Sequence, residues 1–180
     1  MLPKLLTTGY QLMTKRSAFT LIELLVVVAI IGILTGVAIP AFNAFNRRQT
    51  LTQATKNLKT DLRAARNRAV SGVDGKRWGG HLVLNRDNYT TFSTSSFAYS
   101  AATSTQTKDL PSGVTISDLS WNHGSPGQAN VVFDRITGEV SIRWWGGGQA
   151  PVSDIIITLS LSGVTRTVRV DSGGKIYEKE

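Results

Sequence analysis

The stretch that most constrains this chain is an apolar run from Phe19 to Ile39, led in by Lys15-Arg16 and followed by Pro40. As a helix its 21 residues are long enough to cross a bilayer core, which takes about 20. A single charge interrupts the run, Glu23, four positions after Phe19. An acidic side chain in a membrane helix is costly, on the order of 2.5–3.5 kcal/mol at the centre and less near the ends. Glu23 therefore calls for a partner or a task. Its chemical complement is an α-amino group, which a cut between Ala18 and Phe19 would release.

Ala18 followed by Phe19-Thr20-Leu21-Ile22-Glu23-Leu24 resembles the type IV prepilin signal, shared by pilins and the pseudopilins of type II secretion. The strict resemblance covers about 22 residues. It implies that a membrane peptidase cuts on the cytoplasmic side between Ala18 and Phe19 and methylates the new N-terminus on Phe19. Glu23 matches the family's acidic residue, fifth in the mature chain, and Pro40 matches the proline that often kinks the family's helix. Ala18 stands where glycine is commoner; it is small, as the site requires. The implied partners are the prepilin peptidase, other pilin or pseudopilin subunits and an inner-membrane assembly platform. A plain membrane anchor leaves Glu23 unexplained. A secretory signal peptide, with Gly36-Val37-Ala38 as its cleavage site, requires an uncharged core.

Met13 is an alternative start that would give a leader of six residues, 13–18. Cations flank both ends of the apolar run, Lys15 and Arg16 before it and Arg47, Arg48, Lys56 and Lys59 after it, so counting them does not orient it. The resemblance does: a single pass through the bacterial inner membrane, residues 1–18 in the cytoplasm and the remainder outside.

The net charge of +8 is unevenly placed. Residues 47–77 carry nine basic and two acidic side chains, whereas residues 78–180 carry eight basic and nine acidic ones. The basicity thus belongs to the leader and one segment, and the C-terminal part is close to neutral. There is no cysteine, which excludes disulfides and thiolate metal sites.

Beyond Pro40, Leu51, Ala54, Leu58, Leu62, Ala65 and Ala69 recur at three- and four-residue steps, one stripe of an α-helix, with Phe42 and Phe45 starting a similar face. The opposite face carries Lys56, Lys59, Asp61, Arg63, Arg66 and Arg68. From Phe19 to Val70 a helix would be about 78 Å long. Ser71-Gly72-Val73-Asp74-Gly75 stops it. Period-two patterning follows: a hairpin 81–84/89–92 around Asn85-Arg86-Asp87-Asn88, and an aperiodic Ser/Thr-rich loop 93–108. Short strands are expected at 114–116 and 131–133, with a turn at Arg135-Ile136-Thr137-Gly138 and a return strand at 139–145 ending in Gly146-Gly147-Gly148. A long hairpin, 155–161/165–170 about Ser162-Gly163, precedes a last strand at 175–177. The order predicts an α+β fold, a long N-terminal helix (membrane half plus amphipathic half) packed on one or two antiparallel β-sheets of a pilin-like head. The expected divisions are a leader at 1–18, a membrane and filament-core helix at 19–40, an amphipathic spine at 41–71 and a β-rich head at 72–180. Val131-Val132-Phe133-Asp134, Gly138 with Val140, and the Gly174-Lys175 tail resemble the GspH/FimT group of minor pseudopilins and minor pilins.

Glu23 is the candidate assembly residue, pairing with the Phe19 amine of a neighbouring subunit in a low-dielectric surround. The cationic helix face is read as a solvated face. Relatives in the FimT group bind DNA through a Gly-Arg-x-Arg tail; here Gly174-Lys175-Ile176-Tyr177 stands in its place, followed by Glu178. Lys175, Arg166 and Arg169 are thus the candidate nucleic-acid contacts, in a chain for which nucleic acid is the less favoured partner. His81 and His123, the only histidines, carry no metal-ligand spacing, and no nucleophile–base pair, phosphate loop or HExxH is present. No cofactor, metal or enzymatic activity is expected. In the adjacent pair Trp144-Trp145 one ring is a candidate subunit contact, and Asn88-Tyr89-Thr90 fits a glycosylation sequon. The expected function is a minor pseudopilin or pilin of a type II secretion pseudopilus or type IV pilus; the alternatives are a DNA-binding minor pilin in natural transformation and a membrane-anchored sensor.

Overall fold

The computed structural model describes residues 19–121, 124, 126–144 and 154–179. The leader with Ala18, and also His123, Trp145 and Gly146-Gly147-Gly148, lie outside the described residues. The chain divides into two compact units, Met1–Phe42 and Asn43–Glu180. One helix, α1 (Leu21–Val70), contributes to both and has Pro40 inside it.

In the first unit, α1 is long and apolar enough to cross a membrane. Its large apolar side chains from Leu21 to Leu34, and Ile39, are exposed. The hydroxyl of Thr35 donates back to the Ile31 carbonyl at 2.7 Å, so this polar side chain needs no outside partner.

The second unit is built on the other half of α1. Leu51, Ala54, Leu58 and Leu62 are fully buried, as are Ala65 and Ala69 in effect, so the predicted stripe is the core face. Among the described residues nine strands cover it: β1 (Arg77–Val83), β2 (Asn88–Thr94), β3 (Ala102–Asp109), β4 (Thr115–Ser120), β5 (Gln128–Phe133), β6 (Val140–Trp144), β7 (Asp154–Leu161), β8 (Val164–Asp171) and β9 (Ile176–Lys179). They form a five-stranded sheet in the order β3-β2-β1-β5-β6 and a four-stranded sheet in the order β4-β7-β8-β9, every pairing antiparallel. The fold is the expected pilin-like α+β arrangement, with two sheets sharing one core with the helix.

Each sheet meets the helix through alternation. Ile155, Ile157 and Leu159 of β7 and Val168 and Val170 of β8 point to the core. In β4 the buried pair Ile116 and Leu119 is three residues apart, an odd step that would put them on opposite faces. A register shift between Ile116 and Asp118 restores them to one face. Gly80 of β1 makes room for the helix, since a Cβ there would lie 2.9 Å from Leu62 Cδ2. The β7–β8 hairpin turns on Ser162-Gly163, with φ of 49° and 83°, the two positive values that a tight two-residue loop requires.

Backbone hydrogen bonds stitch the two sheets together. The Asn85 N–H donates to the Ile116 carbonyl and the Ile116 N–H to the Arg86 carbonyl, at 2.8 and 2.9 Å. Elsewhere the Val140 N–H donates to the Ser172 carbonyl at 3.0 Å.

The expected loop at 93–108 is corrected. Residues 93–108, expected as a loop, complete β2, form a 3-10 turn at Tyr99–Ala101 and then the edge strand β3. Along β3, Thr103 to Thr107 are exposed on both faces, so no apolar alternation marks it, although threonine suits a pleated strand. The segment between β2 and β3 folds back over the outer face of the five-stranded sheet. Tyr99 stacks on His81 with centroids 4.0 Å apart and meets the buried Phe92 edge-on at 5.1 Å. Phe97 lies under Arg77 and Arg143, at 4.1 and 5.2 Å.

Candidate functional site

The N-terminal candidates lie in the first described residues. Thr20 caps α1: its carbonyl accepts the Leu24 N–H at 3.2 Å and its hydroxyl accepts the Glu23 N–H at 3.3 Å. Thr20-Leu21-Ile22-Glu23 therefore has the spacing of a capping box, a local signal that the residue order alone carries. Glu23 sits in the first turn, where the positive end of the helix dipole favours a carboxylate. Phe19 directly precedes the cap and is exposed.

The other candidates meet in the second unit, around β9. Lys59, Arg63 and Arg66 are spaced i, i+4 and i+7 on α1, one helical face, and all three reach the C-terminal segment. Lys59 Nζ pairs with Glu178 at 3.4 Å, Arg63 Nη2 donates to the Ile176 carbonyl at 2.7 Å, and Arg66 Nη2 donates to the Gly173 carbonyl at 3.4 Å. The expectation of a wholly solvated basic face is corrected here: three of its cations clamp the tail. Their spacing was the available signal, but nothing local in the sequence names a partner more than 100 residues away.

The turn preceding β9 is tightly placed. Gly174 has φ of 77°, and a Cβ there would collide with the Gly138 carbonyl oxygen and lie 2.7 Å from Arg66 Nε. Gly138, φ 69°, is equally close to Val70 of the helix. These two glycines, singled out by the family resemblance, let two turns and the helix end meet.

The candidate nucleic-acid contacts are adjacent but mostly engaged. Arg166 pairs with Glu178 and Arg169 with Asp154. Burial works to raise the Glu178 carboxyl, but Arg166 and then Lys59 outweigh it and hold the group below the usual carboxylate value. The hydrogen bond and charge of Asp154 raise Arg169 above its ordinary value. Lys175 lies 5.6 Å over the Tyr177 ring. His81 is bonded through Nδ1 to Asn130 Oδ1 at 2.7 Å, and burial lowers its pKa against that bond. Among the described residues no group of three or more His, Cys, Asp or Glu side chains lies together. Tyr89 donates to Asp61 at 2.6 Å beside a polar cavity of about 300 Å³, where burial, then the Asp61 bond, raises the phenol.

Residues 13–39 match the family model described as the prokaryotic N-terminal methylation motif. The likeness to prepilins is thus a likeness of the N-terminal segment. A fimbrial protein of Moraxella nonliquefaciens is 39% identical over 67 residues, 36% of this chain and 44% of that one. The type IV major pilin protein PilA of Myxococcus xanthus is 53% identical over 45 residues, 25% and 20% of the two chains. A fimbrial protein of Pseudomonas aeruginosa is 40% identical over 62 residues, 34% and 40%. The chain spans less than half the length of each of these relatives. No solved structure matches at comparable stringency.

Proposed function

We propose that this protein is a non-enzymatic minor pilin or minor pseudopilin of the GspH/FimT group, anchored in the bacterial inner membrane and assembled into a filament through α1. The observation that carries the reading is the methylation motif at residues 13–39, joined in α1 to a stripe that serves as the core of a β-rich head. In this reading prepilin peptidase cuts between Ala18 and Phe19 and methylates Phe19. The freed amine then meets Glu23 of a neighbouring subunit, in surroundings where such a pair favours one axial register. Pro40, which cannot donate to the preceding turn, bends the helix where membrane half and spine meet. The head lies outside the membrane, and the inner-membrane platform feeds subunits into a type II secretion pseudopilus or a type IV pilus.

The DNA-binding alternative draws on Lys175, Arg166 and Arg169, and two of these already face carboxylates. Assembly therefore takes precedence. The test is mass spectrometry of the mature N-terminus together with Glu23→Val. The expected result is an N-methylated chain starting at Phe19, a variant cut normally, and assembly reduced at least tenfold. An uncut chain, or normal assembly of the variant, would sink the reading.

A further inference from the structure

We infer that the pocket between α1 and the β8–β9 turn is a docking site for a carboxylate side chain, aspartate or glutamate, of a neighbouring subunit. This rests on the filament reading. The pocket has a volume of about 480 Å³ and is lined by Arg63, Arg66, Asn67, Gly174, Lys175 and Tyr177, among others, with three cations and no acid. Among the described residues none of the three cations has a carboxylate within ion-pair distance. Asp171, on the same turn, accepts the backbone N–H of Lys175 at 2.8 Å.

The two guanidinium groups are held in place by backbone carbonyls rather than by charge, Arg63 on Ile176 and Arg66 on Gly173. Each keeps further N–H donors for a ligand. Arg66 Nε is buried against Gly138 and Gly174, which fixes the plane of this guanidinium. A planar carboxylate matches fixed guanidinium donors in geometry and charge.

The size of the charged spot selects the partner. A nucleic-acid strand presents a row of phosphates and needs a row of cations to follow it. Here the flanking cations Lys59, Arg166 and Arg169 are already paired with Glu178 and Asp154, which leaves no row of free cations across β8 and β9. A trio gathered at one turn fits one or two carboxylates.

The test uses the full chain in detergent micelles with a labelled acetyl-hexaglutamate peptide, read by fluorescence anisotropy at low salt. Saturable binding is expected, at least tenfold weaker in the double variant Arg63→Gln, Lys175→Gln and unchanged in Arg48→Gln. Both positions of the double variant are exposed, which keeps the test usable where Arg66→Gln fails to fold. No saturable binding, or equal binding by the double variant, overturns the proposal. So does tighter binding of an oligothymidylate of equal charge, which would assign the pocket to nucleic acid. Glu23→Val, which is designed to fail in assembly, should bind the peptide like the wild type. The pocket and the filament reading thus fail by separate measurements.

Discussion

At Gly174 the backbone is left-handed and the space beside it is already taken by the Gly138 carbonyl and Arg66. An alanine there meets both penalties. Gly163, φ 83°, has no heavy atom beyond its chain neighbours within 4 Å of the place its Cβ would take, and an alanine there meets only the first. A left-handed non-glycine residue costs roughly 1–2 kcal/mol. Gly163→Ala should therefore lower stability by about that amount, and Gly174→Ala by at least about 2 kcal/mol more, since backbone rather than a flexible side chain must move. Thermal melts of the two variants would check the difference; equal midpoints would remove the close-approach argument. Ile136 is a contrasting residue, left-handed at φ 70° and 82% exposed, for which the described contacts offer no compensation.

Two elements, β9 and the 95–101 segment, are held by groups that titrate. Glu178 has its pKa lowered from 4.5 by Arg166 and Lys59, so the folded state binds fewer protons than the unfolded chain. Its contribution is complete above about pH 4.5 and is lost as pH falls through the folded value. His81, under Tyr99, is lowered from 6.5 by burial, so its contribution is complete above pH 6.5 and disappears as acid charges the ring. Stability should therefore decline in two steps on acidification. The first should be absent in His81→Gln and the second in Glu178→Gln. Denaturant melts between pH 7 and pH 3 would show this, and a first step that persists in His81→Gln would refute the assignment.

Across the whole second unit, a single core joins α1 to both sheets, and truncation at its middle should be felt everywhere. Leu58→Ala should cost about 2–5 kcal/mol. Phe45→Ala, at a position 62% exposed, should leave the melting midpoint nearly unchanged. A small shift for Leu58→Ala would mean that the stripe is not the core face. That stripe was legible because Leu51 to Ala69 keep helical period and because two sheets need one apolar face to cover. β3 was not legible, since an edge strand wetted on both sides has no alternation to read. The offset in β4 was hidden because Ile116 and Leu119 alternate only after the bulge. The N-terminal motif is local and stood out at once. The tail clamp was missed because Lys59, Arg63 and Arg66 acquire meaning only when β9 and the turn before it arrive from 119, 113 and 107 residues away.

Those separations also set a tempo. Contacts between residues so distant in sequence form late, after much loop entropy has been spent, and proteins rich in them fold in milliseconds to seconds rather than microseconds. Until β9 closes, the spine's leucines and alanines have no complete cover, on a nascent polypeptide that also carries a membrane-length apolar stretch. The slow closure opens a window for aggregation. Docking of the tail on Lys59, Arg63 and Arg66 closes that window.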